Sequence, residues 1–478
     1  MKRSTWSARR LGPGRPHLGT PRMLPTSTRY DSDPSIGRGQ ATFLYALLAL
    51  YIFGFHLRLS LYSGAETILI PNYLMLVSAA ILALSQINAL LRRLGLALLA
   101  LTLFVALQPI ASFAPLGATT QNLMSAAQLW ASIVAALAVI YTASRLGAPG
   151  LQRLALTVWL VLIVIALLET LGYRDFFHQI QEFLYSTGRS VYNVDARDLD
   201  IYGKVRPAAL ASEPSYLSAS LSSMAILTFM LDRISGRPSS WIKLCVMMFV
   251  GFLIAPSMTM VFYIIALLVW HFWPRSSTSV AWLFAGVAVA LIVGAMVALP
   301  NLQAIMSYFG STGTGSFFAR VAVGPYIGWE VLLTLPILGF GIGNVAALTP
   351  VFQHVWVQTG GFSRFPWYSV FDAEHLLANG FWWQFVYLGC LGVVILTLII
   401  GTLLSKLGVR TPFRVILCTW IVWYAGAAFV DPASWFTVAL FAMPLVSQTW
   451  DSTPARNSVP SMVSAPSKAH SSISPQRN

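Results

Sequence analysis

Long apolar segments alternate with short polar connections along most of this chain. Twelve segments are apolar over a length that can cross a bilayer, for which a helix needs about 20 residues. The seventh and eighth are short and are joined by Pro256-Ser257-Met258-Thr259, so one tight hairpin is an alternative there. The pattern predicts an all-α, polytopic membrane protein with about twelve transmembrane helices, near 41–59, 69–89, 94–111, 122–143, 154–172, 208–231, 240–255, 258–273, 280–299, 378–401, 413–430 and 433–449.

Composition supports a membrane protein. Of the 478 residues, 56% are hydrophobic and 10% are charged, which excludes an ordinary soluble globule. The net charge of +14 lies mostly in the tails and short connections, where Lys and Arg set membrane topology, so it does not indicate nucleic-acid binding. Cys245, Cys390 and Cys418 lie in apolar segments without the spacing of metal ligands. The sequence therefore predicts neither a disulfide framework nor a metal site.

Basic residues occur in alternate connections between the apolar segments. Lys and Arg are absent from four short connections, namely 60–68, 112–121, 256–257 and 431–432. The intervening connections carry Arg92, Arg93, Arg145, Arg153, Arg233, Arg237, Lys243, Arg275, Lys406, Arg410 and Arg414. The positive-inside rule then predicts that both ends of the chain lie in the cytoplasm. Two long connections, 173–207 and 300–377, become loops on the outer side.

The chain divides into one membrane domain and two tails. Residues 1–39 are basic and rich in Pro, Gly and Ser, without the apolar core of a signal peptide, and residues 450–478 are rich in Ser and Pro. Both compositions predict disordered cytoplasmic tails around a transmembrane domain at 40–449, and the basic tail can contact anionic lipid. Within that domain, the apolar run 321–338 is interrupted by Gly and Pro, which predicts an interfacial or re-entrant helix.

The stretch from Arg206 to Tyr216 joins a polar loop to an apolar segment. Ser212 is a typical helix cap and Pro214 fits a first helical turn, so Glu213 becomes a carboxylate at a helix start near the membrane boundary. An ionisable group there is a functional candidate. The structural alternative is a capped transmembrane helix in which Glu213 pairs with Arg206.

Polar residues form four clusters that the predicted topology brings to the outer side. Their members are Arg206, Glu213, Ser215 and Tyr216; Ser257 and Thr259; Ser316, Arg320 and Asn344; and Asp372, Glu374, His375 and Asn379. Before Asn344, the glycines of Gly339-x-Gly341-x-Gly343 predict a tight turn, with Asn344 capping the element that follows. Aromatic residues in the two loops could stack on sugars or anchor the protein at the interface.

These residue types suit transfer of a glycan from a lipid pyrophosphate. Arg206 and Arg320 could bind the pyrophosphate and stabilise its charge as it leaves, because a guanidinium matches phosphate oxygens and stays charged. His375 could accept a proton from an acceptor hydroxyl near neutral pH. Glu374 or Glu213 could orient the imidazole or act as the base instead. The alternatives to these catalytic roles are arginines that anchor the protein at the membrane interface and a histidine that lies on a loop surface.

Four stretches resemble, in order and spacing, the O-antigen polymerase and ligase superfamily of membrane glycosyltransferases. They are Arg206 to Tyr216; Ser257-x-Thr259; Arg320 followed by Pro336-Ile337-Leu338-Gly339-Phe340-Gly341-Ile342-Gly343-Asn344; and His375 with Asn379-Gly380-Phe381. The resemblance covers about residues 200–395. It implies a GT-C-like, all-helical enzyme whose catalytic domain is 40–449, acting on the periplasmic face without metal, nucleotide or other cofactor. It also implies that Arg206 and Arg320 engage the pyrophosphate and that His375 aids acceptor activation.

The same resemblance favours a polymerase that joins polyprenyl-pyrophosphate-linked oligosaccharide units, because Glu213-Pro214-Ser215 is similar to capsule and exopolysaccharide polymerases. The donor and acceptor glycolipids and the membrane lipid are then the partners, and chain-length regulators or export proteins are further candidates. One alternative is an O-antigen ligase that transfers glycan to the lipid A core. Another is a flippase or transporter, which the scarcity of charge within the apolar segments disfavours.

Overall fold

The computed structural model describes residues 37–63, 67–111, 119–186, 191, 195–237, 240–274, 315–335 and 337–451. The first group of helices comprises α1 (Arg38–Leu57), α2 (Tyr73–Ser85), α3 (Ile87–Ala111), α4 (Thr119–Leu146), α5 (Ala148–Leu168), α6 (Arg174–Leu184), α7 (Asp195–Tyr202), α8 (Pro214–Ile234), α9 (Ser240–Ile254) and α10 (Met258–His271). The second comprises α11 (Gly315–Phe317), α12 (Gly324–Thr334), α13 (Val345–Gln358), α14 (Gly361–Arg364), α15 (Ala373–Leu376), α16 (Gly380–Lys406), α17 (Pro412–Tyr424) and α18 (Pro432–Asp451).

Short irregular elements connect these helices. The strands β1 (Leu61–Ser63) and β2 (Thr67–Ile70) pair antiparallel after α1. π-Helical turns at Glu169–Tyr173 and Phe318–Ala322 precede α6 and α12, and a 3-10 helix covers Pro366–Val370. The described part of the chain is therefore helical apart from one small strand pair.

Eleven of the twelve predicted apolar segments coincide with described helices, and segment 280–299 lies outside the described residues. Six helices are long and apolar enough to cross a membrane: α1, α3, α4, α5 with its extension, α8 and α16. The other five, α2, α9, α10, α17 and α18, are apolar over shorter lengths of 10–17 residues. The chain is thus a helical membrane protein, and the full number of spans remains a prediction.

Helix α8 lies at the centre of the bundle. It packs against α5, α9, α10 and α18, and 89% of its most apolar window is buried inside the protein. Outer helices instead expose large apolar side chains such as Leu96, Ile242 and Phe249, as lipid-facing helices do. Because α8 has protein on all sides, the residues at its first turn are positioned by several neighbouring elements.

The helices share two ends. At the first, which we call the site end, α1 and α17 end and α8, α10, α16 and α18 begin. Arg206 Nη1 donates to the carbonyl of Pro256, 3.1 Å away, which joins the start of α8 to that of α10. Asn379 Nδ2 donates to the carbonyl of Tyr424 at 3.1 Å, which joins the start of α16 to the end of α17.

The opposite end, which we call the basic end, holds the connections between α2 and α3, α4 and α5, α8 and α9, and α16 and α17. Arg237 Nη1 donates to Gln152 Oε1 at 3.3 Å and to Asp232 Oδ1 at 2.9 Å. Arg93 lies over the ring of Tyr141, with 5.3 Å between guanidinium carbon and ring centroid. The basic connections identified in the sequence are therefore far along the bundle from the site end.

Helix α16 is broken within its apolar sequence. Gly389 has φ +61° and ψ −177°, a conformation open almost only to glycine. The turn before α13 fills the break, because Phe340 N–H donates to Val386 O and Gly341 N–H donates to Tyr387 O, both at 2.9 Å. Irregular backbone at this depth is thus satisfied by protein, as a membrane requires.

The run 321–338 forms one surface helix, α12, over 11 residues. It packs against α16 with Trp382 over Gly324 and Gly328, where any added Cβ would lie within 2.7 Å of the indole. Trp329 and Leu333 on α12 are exposed. A helix is therefore present within the predicted run, with Gly324, Ile327, Gly328 and Val331 facing the protein and Trp329 and Leu333 facing outward. Its place at the membrane interface stays a prediction.

Candidate functional site

The loop that leads into α8 is held by a buried ion pair. Arg206 donates through Nη2 to Asp198 Oδ1 at 2.9 Å and through Nε to Asp198 Oδ2 at 3.1 Å. The side chain of Arg206 is 7% exposed and that of Asp198 is fully buried. The guanidinium also lies over the ring of Tyr202, 4.3 Å from its centroid. Arg206 thus ties α7 to the start of α8.

This pairing corrects one expectation. The structural alternative paired Arg206 with Glu213, but the carboxylate that holds Arg206 is Asp198. The assignment of Arg206 to the pyrophosphate stays a prediction, but it now carries a cost. Two nitrogens of Arg206 serve Asp198 and a third serves Pro256, so a phosphate could bind only after a buried pair was broken.

A second carboxylate, Glu169, binds the same loop from the end of α5. Its oxygens accept from the backbone N–H groups of Ala208 at 3.1 Å and of Ala209 at 2.7 Å. Ala209 and Leu210 have φ values of +48° and +73°, in the left-handed region that non-glycine residues avoid. Such backbone strain persists only where the surroundings impose it, and it occurs often at functional sites.

Three further side chains hold this loop through hydrogen bonds. His56 Nε2 donates to the Ala209 carbonyl at 2.7 Å, and its Nδ1 is 3.2 Å from Ser220 Oγ. Gln181 Nε2 donates to the Ala211 carbonyl at 3.1 Å, and the Tyr185 hydroxyl donates to the Leu210 carbonyl at 3.2 Å. The loop 206–213 is consequently a rigid support for the first turn of α8.

The first turn of α8 differs in detail from the prediction. Glu213, not Ser212, is the N-cap residue, and its side chain makes no capping hydrogen bond. The Glu213 carboxylate instead accepts from Ser215 Oγ at 3.0 Å. Ser212 is fully buried, and its Oγ has no partner within the described residues. Helix α8 therefore begins with a half-buried carboxylate that does not cap its first turn.

Ser257 and Thr259 begin α10 beside this loop. Ser257 is the N-cap, and its Oγ accepts from the backbone N–H of Thr259 at 3.3 Å. The preceding Pro256 carbonyl is the one that Arg206 binds. Both predicted residues thus belong to the same end of the bundle as Arg206, where they shape the start of α10.

Arg320 lies in a π-helical turn at the site end. Its backbone carbonyl accepts from Asn379 Nδ2 at 2.6 Å, and the carbonyl of the preceding Ala319 accepts from Ala378 N–H at 3.3 Å. The guanidinium runs past Gly426, where an added Cβ would be 3.5 Å from Arg320 Nε. Within the described ranges, the Arg320 guanidinium has neither a hydrogen bond nor a carboxylate partner.

Asn379 explains why Arg320 is held there. As the N-cap of α16, its Oδ1 accepts from Trp382 N–H at 3.2 Å while its Nδ2 binds the carbonyls of Arg320 and Tyr424. The side chain is fully buried. One amide therefore joins three chain segments, and this explains its place near the predicted site better than a direct chemical role.

His375 lies on α15, just before Asn379. Its Nδ1 is 2.9 Å from Asp372 Oδ1, and the ring stacks on Phe371 with 5.0 Å between centroids. The side chain is 62% exposed, so solvent reaches the ring. Asp372 also caps α15 through Glu374 N–H. Asp372 was part of the sequence cluster, although the sequence did not indicate its pairing with His375.

The two carboxyl groups next to His375 have opposite pKa shifts. The hydrogen bond from His375 lowers the pKa of Asp372 below its ordinary value of 3.8. The pair therefore contributes fully above pH 3.8 and is lost as pH falls through the lower pKa of the folded state. Desolvation raises the pKa of Glu374, and the charge of Asp372 adds to this rise. The side chain of Glu374 is exposed, so water still reaches its carboxyl group.

Asn344 and the preceding glycines form the turn that enters the break in α16. Gly339, Gly341 and Gly343 all have positive φ, in agreement with the predicted tight turn. Asn344 is the N-cap residue of α13, but its side chain does not cap the helix and donates instead to the Phe340 carbonyl at 3.1 Å. Pro336 and the side chain of Ser316 lie outside the described residues.

Aromatic contacts connect the two halves of the site end. Phe262 on α10 stacks with Tyr424 on α17, with 6.0 Å between ring centroids, and Tyr424 also meets Phe381 on α16 at 6.0 Å. The start of α10, which Arg206 binds, therefore adjoins the segment that holds Asn379 and Arg320. The predicted clusters share one end of the bundle, with Arg206 turned into a structural pair.

No three His, Cys, Asp or Glu side chains of the described residues lie in a group that could hold a metal ion. No family model matches this chain, and no curated protein matches it with significant similarity.

Proposed function

We propose that this chain is a membrane glycosyltransferase that polymerises polyprenyl-pyrophosphate-linked oligosaccharide units. One observation carries the proposal. Among the described residues the Arg320 guanidinium has no partner, and Asn379, which binds the Arg320 carbonyl, lies four residues after His375 of the exposed His375–Asp372 pair. A guanidinium and an oriented imidazole on adjoining segments suit the departure of a pyrophosphate combined with activation of a hydroxyl.

In the proposed reaction, an acceptor sugar hydroxyl attacks the anomeric carbon of the glycan on its lipid carrier. The bond between that carbon and the pyrophosphate oxygen breaks, and its electron pair leaves with the pyrophosphate. Arg320 stabilises the charge that develops there. Asp372 accepts the Nδ1 proton of His375, so the opposite nitrogen, Nε2, takes the proton from the hydroxyl. No metal or nucleotide takes part in this scheme.

Glu374 and Glu213 are alternative proton acceptors. Glu374 neighbours His375 and is exposed, whereas Glu213 already accepts a hydrogen bond from Ser215. We favour His375 because the Asp372 carboxylate orients its ring. A base that is oriented by a third group in this way is typical of sites that activate a hydroxyl. Ser215 and Tyr216 then support the start of α8, while Ser257 and Thr259 support that of α10.

The proposed location is the periplasmic face of a bacterial inner membrane, with both ends of the chain in the cytoplasm. The separation of the basic end from the site end supports this orientation. The lipid-linked donor and acceptor are the proposed partners, together with membrane lipid, and chain-length regulators or export proteins would act on the product. A GT-C-like arrangement of about twelve spans belongs to the same proposal.

The test measures polymer formation by the full chain in liposomes that contain a polyprenyl-pyrophosphate-linked repeat unit. We expect Arg320→Ala to lower the rate by about 10²–10³, and His375→Ala by about 10²–10⁴. Asp372→Asn should lower it less, since the imidazole remains. His354→Ala is the matched control, because this exposed histidine on α13 bonds only Gln358 among the described residues.

Wild-type chain lengths in both Arg320→Ala and His375→Ala would refute the catalytic assignment. The same reaction separates the other activities that the sequence left open. A ligase would form no polymer and would transfer the glycan only to added lipid A core, and a flippase would move the glycolipid between leaflets without extending it. Either result would overturn polymerisation.

A further inference from the structure

Arg58 is an arginine of the site end whose position the sequence did not reveal. It is the residue after α1, with φ +53°, and its guanidinium lies over the ring of Tyr216 on the first turn of α8. The distance from the guanidinium carbon to the ring centroid is 3.9 Å. Its left-handed backbone and this stacking contact fix the plane of the guanidinium.

The donors of Arg58 remain available. Among the described residues, its buried Nε has no hydrogen-bond partner and no carboxylate lies within salt-bridge distance. A half-buried cation without a counterion is costly, so a stable protein usually supplies an anion for it. Arg206, in contrast, already has Asp198.

The surroundings of Arg58 favour an anion. Arg58 stacks on Tyr216 at the start of α8, which is the positive end of the helix dipole and is not capped by the Glu213 side chain. Arg320 lies beside Gly426 after the end of α17, where Tyr424 stacks on Phe262 of α10. Arg58 and Arg320 therefore both lie at the site end.

We infer that Arg58 binds a phosphate group of the lipid-linked donor and is the second pyrophosphate-binding arginine, in the role that the sequence gave to Arg206. This inference rests on the proposed function. The chemistry recognised is a phosphate at the membrane surface, which a phospholipid headgroup could also supply. Arg58 and Arg320 would then each contact the pyrophosphate at the site end.

Binding is measured with the purified full chain in nanodiscs of phosphatidylcholine, using undecaprenyl pyrophosphate as the probe. We expect Arg58→Gln to weaken binding about tenfold or more, since a charge-assisted hydrogen-bonding pair is lost, and Arg58→Lys to weaken it less. Arg93→Gln is the matched control, because Arg93 also lies over a tyrosine ring but at the basic end. It should bind as the wild type does.

Each outcome has one meaning. Wild-type affinity in Arg58→Gln, with weaker binding in Arg320→Gln, would overturn the role of Arg58 and leave the proposed function intact. Absence of binding by the wild-type protein would overturn the proposed function itself. If Arg58→Gln loses binding of phosphatidylglycerol but keeps that of undecaprenyl pyrophosphate, Arg58 binds a headgroup and the donor assignment fails. Should Arg58→Gln misfold, Arg58→Lys and Tyr216→Leu provide the same comparison.

Discussion

At the scale of single residues, the arginines of the site end differ in what neutralises them. Arg206 is buried and faces a carboxylate through two nitrogens, whereas Arg58 and Arg320 have no carboxylate partner among the described residues. A guanidinium in a buried pair gains little from a phosphate, because the carboxylate would be left uncompensated. Free guanidiniums have no such cost, and they are the better candidates for a pyrophosphate.

Stability measurements can test this division. Arg206→Ala leaves Asp198 buried without its partner, so we expect a loss of about 3–5 kcal/mol in the free energy of unfolding. Replacing both residues, as Arg206→Met with Asp198→Leu, should restore much of that loss. The measurement is thermal unfolding of the purified protein in detergent, followed by its intrinsic fluorescence.

The control for this prediction is Arg237→Ala at the basic end. Arg237 is 48% exposed, and its partner Asp232 keeps Lys243 at 3.0 Å, so the expected loss is only about 0–1 kcal/mol. If the Arg206→Ala protein were as stable as the wild type but inactive, Arg206 would be assigned to substrate binding and not to the structural pair.

The sequence indicated Arg206 but not its partner, and the reason is physical. Asp195, Asp198 and Asp200 all precede it in the same loop, and the fold of α7 decides that Asp198 faces Arg206. Arg58 was missed because it follows an apolar segment and looks like a residue of the span. His375 and Arg320 were found because each stands in a polar cluster, although the hydrogen bond from the buried Asn379 amide to the Arg320 carbonyl required coordinates.

At the scale of elements, helix α16 and the turn before α13 depend on one another. Gly389 breaks α16, and the turn before α13 lies very close to the break. A Cβ added to Gly389 would be 2.4 Å from the Ile337 carbonyl oxygen. The hydrogen bonds of Phe340 and Gly341 repair the broken helix. Apolar periodicity predicted the helix but not its break, because a glycine within an apolar run is also compatible with a continuous span.

Gly389→Ala should therefore destabilise the protein. Its backbone conformation alone costs about 1–3 kcal/mol for a residue with a side chain, and the collision with backbone adds to that cost. Gly401→Ala in the same helix is the control, since its nearest neighbour would be a Phe413 carbon at 3.9 Å. Thermal unfolding of both variants measures the difference, and equal stability would mean that α16 is continuous.

At the scale of the whole molecule, the bundle keeps its basic residues and its candidate site at opposite ends. Arg93, Arg237 and Lys243 lie at the basic end, while Arg58, Arg320 and His375 lie at the site end. The alternation of basic connections with connections that lack Lys and Arg already predicts this separation from the sequence. Its direction relative to the membrane is a separate question, and chemical labelling can answer it.

The orientation is tested with single cysteines in a protein whose three native cysteines are replaced by serine. Ser369→Cys is exposed in the loop before His375, and Lys406→Cys is exposed where α16 ends at the basic end. If the site end is periplasmic, a membrane-impermeant maleimide labels Cys at 369 in intact spheroplasts and labels Cys at 406 only after permeabilisation. The reverse pattern would put Arg320 and His375 in the cytoplasm, where a lipid-linked glycan awaiting polymerisation outside could not reach them, and polymerisation on the periplasmic face would be excluded.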